Sequence, residues 1–179
     1  MKISPISKTG FGLTLTMFAF SVFALAQDKS KLSDPEVAFV AVTANQIDID
    51  FAAIAKQKSK DASVIDFANT MERDHKAVIA QAAALAKKLG VTPKNNAVSK
   101  GMLADAEKTK KSLRSKSGAA FNKAYIDNEV AYHKAVIAAV ETVLIPETDN
   151  SELKQLLQNV VPALKAHLSH AEMLQKNYK

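Results

Sequence analysis

The chain has 179 residues, 47% hydrophobic and 23% charged, with a formal charge of +6 and neither Cys nor Trp. That length holds one domain with a real core and excludes a large multidomain enzyme. Five Gly and five Pro are too few for a turn-rich all-β fold, and zero Cys removes disulfides, iron–sulfur clusters, thiolate zinc sites and cysteine nucleophiles.

The chain opens on a short basic start, Met1 to Lys8, followed by an uncharged stretch from Thr9 to Gln27. Its centre, Phe11 to Phe23, is strongly apolar and it ends in Ala24-Leu25-Ala26. These are the three parts of a secretory signal peptide, residues 1–26, with cleavage after Ala26. The competing reading is an uncleaved anchor, since the run just reaches the ~18 residues a spanning helix needs. Loss of Lys2 and Lys8 with the peptide lowers the positive charge by two. No other long apolar run is expected, so the mature protein reads as soluble and periplasmic or otherwise exported.

Residues 27–34 are a polar lead, and 35–179 form the folded domain. Ser33 or Asp34 caps a first helix, 35–58, with Pro35 in its first turn and a stripe of Val37, Val40, Ala44, Ile47, Phe51 and Ile54. Asp61 caps a second, 62–89, whose stripe runs Val64, Ala68, Met71, His75, Val78, Ala82 and Leu85; Gly90 and Pro93 stop it. Residues 94–117 are Lys-rich with a thin stripe and predict a weak, partly exposed helix, broken at Ser117-Gly118. A further long helix spans 119–145, with Phe121, Tyr125, Ile126, Val136, Val140 and Leu144 inward. The last spans 151–176 behind Asp149 or Asn150, with Leu153, Leu157, Leu164, His167 and Leu174 inward and Pro162 placed to bend it.

Four long amphipathic helices predict an all-α four-helix bundle. The middle segment, 90–118, is long enough to cross the bundle, which would make the helices on either side of it parallel, as in ferritin-like folds. An up-down-up-down bundle with an extra helix is the alternative.

Polar residues interrupt the apolar stripes. His75, His133 and His167 lie on them, with His170 one turn further on. Asp48 lies beside the first stripe, while Glu72 and Glu129 stand three and four residues before a histidine and so share its face. At ~1.5 Å per residue these groups fall within about two turns of one another. Carboxylates and imidazoles inside a bundle bind Fe, Mn or Zn. Helix 151–176 carries His167-x-x-His170 where the di-iron pattern wants Glu-x-x-His, which favours a mononuclear or His-rich site. The candidate ligands are Asp48, Glu72, Asp74, His75, Glu129, His133, His167 and His170. The alternative is a buried polar layer that fixes helix register without metal.

Four stretches carry a resemblance: Phe39-Val40 through Ala55; Phe67-Ala68-x-x-Met71-x-x-Asp74-His75; Gly118-Ala119-Ala120-Phe121-x-x-Ala124-Tyr125 with His133; and Val161-Pro162-x-Leu164-x-x-His167. In these the chain resembles the bacterial envelope proteins grouped as domain of unknown function 4142, often labelled outer-membrane proteins. The resemblance implies a ferritin-like bundle with the crossing segment in the middle, and no settled activity. It singles out Asp74, His75, His133 and His167, leaves Glu72 outside the pattern, and puts Asp48 where the family usually has Glu. Strand repeats of an outer-membrane barrel are missing from this sequence.

The cluster of Lys108, Lys110, Lys111, Arg114 and Lys116 reads as a solvated helix face, capable of weak contact with an anionic envelope surface. Arg73 and Arg114 are the only arginines, so no nucleic-acid partner is expected. No Gly-rich phosphate loop or serine-hydrolase elbow exists, and no catalytic residue is assigned. Two functions remain: an exported metal-binding bundle, or a structural or stress-related envelope protein acting through its surface. Oligomeric state is not legible.

Overall fold

The computed structural model describes residues 31–178. The signal peptide, its cleavage site and the first half of the polar lead, 27–30, lie outside the described residues. Those described form five helices and no strand: α1 (Asp34–Lys58), α2 (Ala62–Leu89), α3 (Ala97–Arg114), α4 (Gly118–Ala139) and α5 (Ser151–Gln175). Beyond Ala139, α4 runs on through a π turn, Val140–Leu144, and a last turn, Ile145–Glu147.

Local chemistry sets the boundaries. Before α1, the Glu36 carboxylate accepts from Ser33 N and Oγ (3.0 and 2.6 Å), satisfying a backbone donor that the helix leaves free. Asp61 accepts from Ser63 N, Asn96 from Ser99 N, and Asn150 from Glu152 N and Leu153 N. Gly90 ends α2 in the left-handed region (φ 64°), which a side chain would disfavour. Gly118 has the same hand (φ 55°) at the break between α3 and α4.

Contacts between elements define the path. At one end Asn96 Nδ2 donates to Glu36 O, Leu32 N to Glu147 Oε2, and the Asp34 carboxylate accepts from Asp149 N and Asn150 N. At the other end Ser59 Oγ donates to Asn122 Oδ1, Lys58 Nζ to Arg114 O, and Tyr178 OH to Asp61 Oδ2. Helices α1, α3 and α5 therefore run one way, and α2 and α4 the other. α1 packs on α2, α3 and α4, while α5 packs on α2 and α4. α3 starts beside the beginning of α1 and carries the chain along it to the end where α1 finishes, so that α2 and α4 run parallel.

α5 runs from Ser151 to Gln175 with Pro162 inside it, within a residue of its predicted span. Two expectations need correction. α3 is a regular capped helix, not a weak one, because Ser99, Ala106 and Leu113 are buried and Lys110 is tied to Asp50 of α1 (3.1 Å). A second long apolar run does exist: α1 is long and apolar enough to cross a membrane by length and composition, and its apolarity is spent inside the protein, where Val37, Phe51, Ala52 and Ala55 are fully buried.

The core falls into two clusters. One holds Phe51, Phe67, Met71, Phe121, Tyr125 and Ile126, all fully buried. The other is aliphatic, with Val37, Val40, Val140, Leu144, Leu157 and Leu164. Between them lies a polar layer.

Candidate metal centre

The polar layer takes one or two side chains from each of α1, α2, α4 and α5. Asp48 comes from α1, His75 from α2, Glu129 and His133 from α4, and His167 from α5. All five are buried, Asp48 and Glu129 completely. The helical period put them on inward faces, and antiparallel packing brought their levels together. The imidazole centroids are 5.3 to 5.8 Å apart. One ring nitrogen from each histidine lies within 4.8 Å of the other two.

The outer nitrogen of each ring is occupied by an acceptor. Asn45 Nδ2 donates to Ala41 O (2.8 Å), which turns Asn45 Oδ1 to His75 Nδ1 (2.7 Å). His133 Nδ1 meets the Glu129 carbonyl at 3.0 Å, and His167 Nε2 meets Asp74 Oδ2 at 3.0 Å. A ring nitrogen facing a carbonyl or carboxylate carries the proton, so in each neutral ring the other nitrogen is a bare lone pair. Those three, His75 Nε2, His133 Nε2 and His167 Nδ1, are buried and make no hydrogen bond; neither do the Asp48 oxygens. Asp48 Oδ2 is 3.2 Å from His75 Nε2 and 3.5 Å from His133 Nε2.

The charges follow from burial and neighbours. Burial pushes the Asp48 carboxyl upward, but His75 and the other two imidazoles outweigh it and hold it below the usual range. Burial pushes His133 down against the opposing pull of Asp48, and pushes His167 down against its bond to Asp74. Glu129 is driven well above the ordinary range by burial and then by the Asp48 charge, both of which favour its neutral form. Asp48 is thus an anion, facing imidazole lone pairs that have no donor of their own.

The remaining sequence candidates are placed otherwise. Glu72 turns away and pairs with Lys56 and Lys76, which hold its carboxyl down to about 2. Its three-residue spacing from His75 fixed a shared face only loosely, and two lysines decided its direction. Asp74 stands behind His167 and also accepts from Arg73 Nε (2.8 Å), so it orients that ring from outside the cluster. His170 is half-buried with its ring edge-on to Phe67 (5.1 Å), outside the cluster. Asn45 was missed; its position three residues before Asp48 on one helix face was the available signal. On α3, Lys108 pairs with Asp105, and Lys110 with both Asp50 and Glu107, which leaves much of the cationic face neutralised.

The fold and the cluster define an all-helical protein, among the described residues, with a buried layer of His, Asp and Glu. The model of the domain of unknown function DUF4142 matches residues 22–174, and the chain belongs to that family. None of the curated proteins and none of the solved structures matches the chain.

Proposed function

We propose that this is an exported, ferritin-like four-helix protein, with α3 as the crossover, that binds one divalent transition-metal ion. His75 Nε2, His133 Nε2, His167 Nδ1 and an Asp48 oxygen are the ligands. One observation carries the reading: three imidazole nitrogens lie within 4.8 Å of one another, Asp48 Oδ2 stands 3.2 and 3.5 Å from the Nε2 atoms of His75 and His133, and none of these buried acceptors makes a hydrogen bond. Such a set is costly unless a cation sits in it. Three neutral imidazoles and one carboxylate suit Fe, Mn or Zn. Asn45, the Glu129 carbonyl and Asp74 supply the outer bonds that orient ligand rings in metal sites. Glu129 adds a neutral carboxyl beside Asp48, able to neutralise further charge by losing its proton.

The second reading, a register-fixing polar layer, has its own support in the 3.2 Å approach of Asp48 to His75, which a single proton would also satisfy. Metal content separates the two. The untagged chain, purified and titrated with Zn²⁺, Mn²⁺ and Fe²⁺ by calorimetry, is expected to bind one equivalent of at least one of them. His133→Ala should abolish that binding. No uptake near neutral pH, or uptake that survives His133→Ala, would refute the metal reading.

A further inference from the structure

The aliphatic half of the molecule is not closed. A cavity of about 1400 Å³ runs through it, lined from all five helices. Its walls are mainly apolar, with Val40, Ala44, Val78, Val136, Leu157 and Leu164 among them. Lys31, Glu36 and Glu147 stand at its outer end, and Asp48, His75, His133 and His167 form its inner end. From Leu32 to Asp48 along α1 the path is ~24 Å at the rise of an α-helix.

The opening has a cause in α2. Val64, Phe67, Ala68, Met71 and His75 are buried, but nothing after His75 is. Val78, Ala82 and Leu85 continue the same stripe yet stay half-buried, and the cavity beside Val78 and Ala82 is lined in part by small residues: Ala41 and Ala44 on α1, Ala135 and Ala139 on α4, and Ala163 on α5. Small residues meeting on facing helices leave volume that larger ones would fill. An apolar space of this size holds water poorly, and a void is costly.

We propose that this cavity binds a long-chain carboxylic acid, with its carboxylate on the metal and its hydrocarbon chain along the apolar shaft. The inference rests on the metal reading, since without the ion the ligand carboxylate would face Asp48. Shape and chemistry select the class. The shaft is mainly apolar along its length and ends inside the protein at a buried polar set, which suits a molecule with one polar head and a long apolar tail. A bilayer core of ~30 Å takes two acyl chains end to end, so ~24 Å has room for one long chain and its head. The lone pairs of His75, His133 and His167, each buried and without a hydrogen bond, point to an inner end built for coordination.

The test uses the full chain with Co²⁺ as the metal, whose visible spectrum reports its ligands, after metal uptake has been measured on its own. Hexadecanoate should change that spectrum and bind at least tenfold more tightly than acetate or hexadecanol. Ala82→Trp and Ala139→Trp, each adding bulk to a half-buried wall position, should weaken hexadecanoate at least tenfold and leave metal uptake unchanged. A chain that takes up Co²⁺ but binds hexadecanoate no better than acetate overturns this inference and leaves the metal reading intact. Equal binding of hexadecanoate to the metal-free chain overturns the coordination. Failure to take up any metal overturns both readings. The acid-against-alcohol comparison needs no variant, so it decides the matter even if a tryptophan variant does not fold.

Discussion

The two halves of this protein lie on either side of one polar layer and are built on opposite rules. Below the layer, Tyr125 meets Phe67 edge-on and Phe121 stacked, Phe51 stands edge-on to Tyr132, and Phe51, Phe67, Phe121 and Tyr125 are fully buried. Above it, alanines and valines face one another across a cavity, and the second half of α2 buries nothing. The same four long helices pass through both. The difference lies in side-chain volume at equivalent stripe positions, which shows that one helix period can serve either a core or a container. Stability is concentrated in the aromatic half, and the room for chemistry in the other.

Metal titration should give the largest effect. His75→Ala and His133→Ala each remove a ligand from the layer and are expected to abolish binding. Asn45→Leu and Asp74→Asn remove only an outer bond and should weaken it ~10–100-fold. Equal losses for ligand and outer variants would mean that the layer is not organised as two shells.

Core truncation comes next. Phe51→Ala in the closed half should cost ~3–5 kcal/mol of unfolding free energy in urea, as fully buried aromatics do. Val78→Ala, at a half-buried wall of the open half, should cost well under ~1 kcal/mol. Similar costs would erase the contrast between the halves.

A smaller effect concerns acidity in the metal-free chain. His133 and His167 have folded pKa values below the ~6.5 of an unfolded histidine, so below that pH the unfolded chain holds more protons and stability falls on acidification. Glu129 acts in the opposite sense: its folded pKa is raised, so its contribution is present below ~4.5 and is lost as pH rises. Asp48, held low, matters only below ~3.8. The two senses oppose one another between pH 7 and 5, so Glu129→Gln, which removes the acid's share, should show a urea midpoint that falls over that range more steeply than the unsubstituted chain's. A flat profile in both proteins would contradict the neutral histidines. The smallest change is expected from Glu72→Gln, which should leave metal affinity as it was, because Glu72 faces Lys56 and Lys76 and not the layer.

Much of this was legible before any coordinates. The boundaries of α1, α2 and α5 follow from Pro35, Asp61, Gly90 and Asn150, whose backbone chemistry is local. The inward placement of His75, His133 and His167 follows from their step along an apolar stripe. Glu72 and His170 looked equivalent to these, since a spacing of three or four fixes a helix face to within a broad arc only. What pulled them away was a pair of lysines in one case and Phe67 in the other, and neither is encoded in helical period.

The sequence by itself determined that the described chain is helical, which faces turn inward, and that any metal ligands are oxygen and nitrogen, because period, caps and the lack of Cys are properties of the chain alone. Only the tertiary structure decided which ring nitrogen looks into the layer, that Asn45 and Asp74 stand behind the histidines, and that α4 ends through a π turn. It alone showed that the alanines of separate helices face one another across a cavity. Each of these depends on distances between helices far apart in the chain, and one-dimensional periodicity carries no information about them.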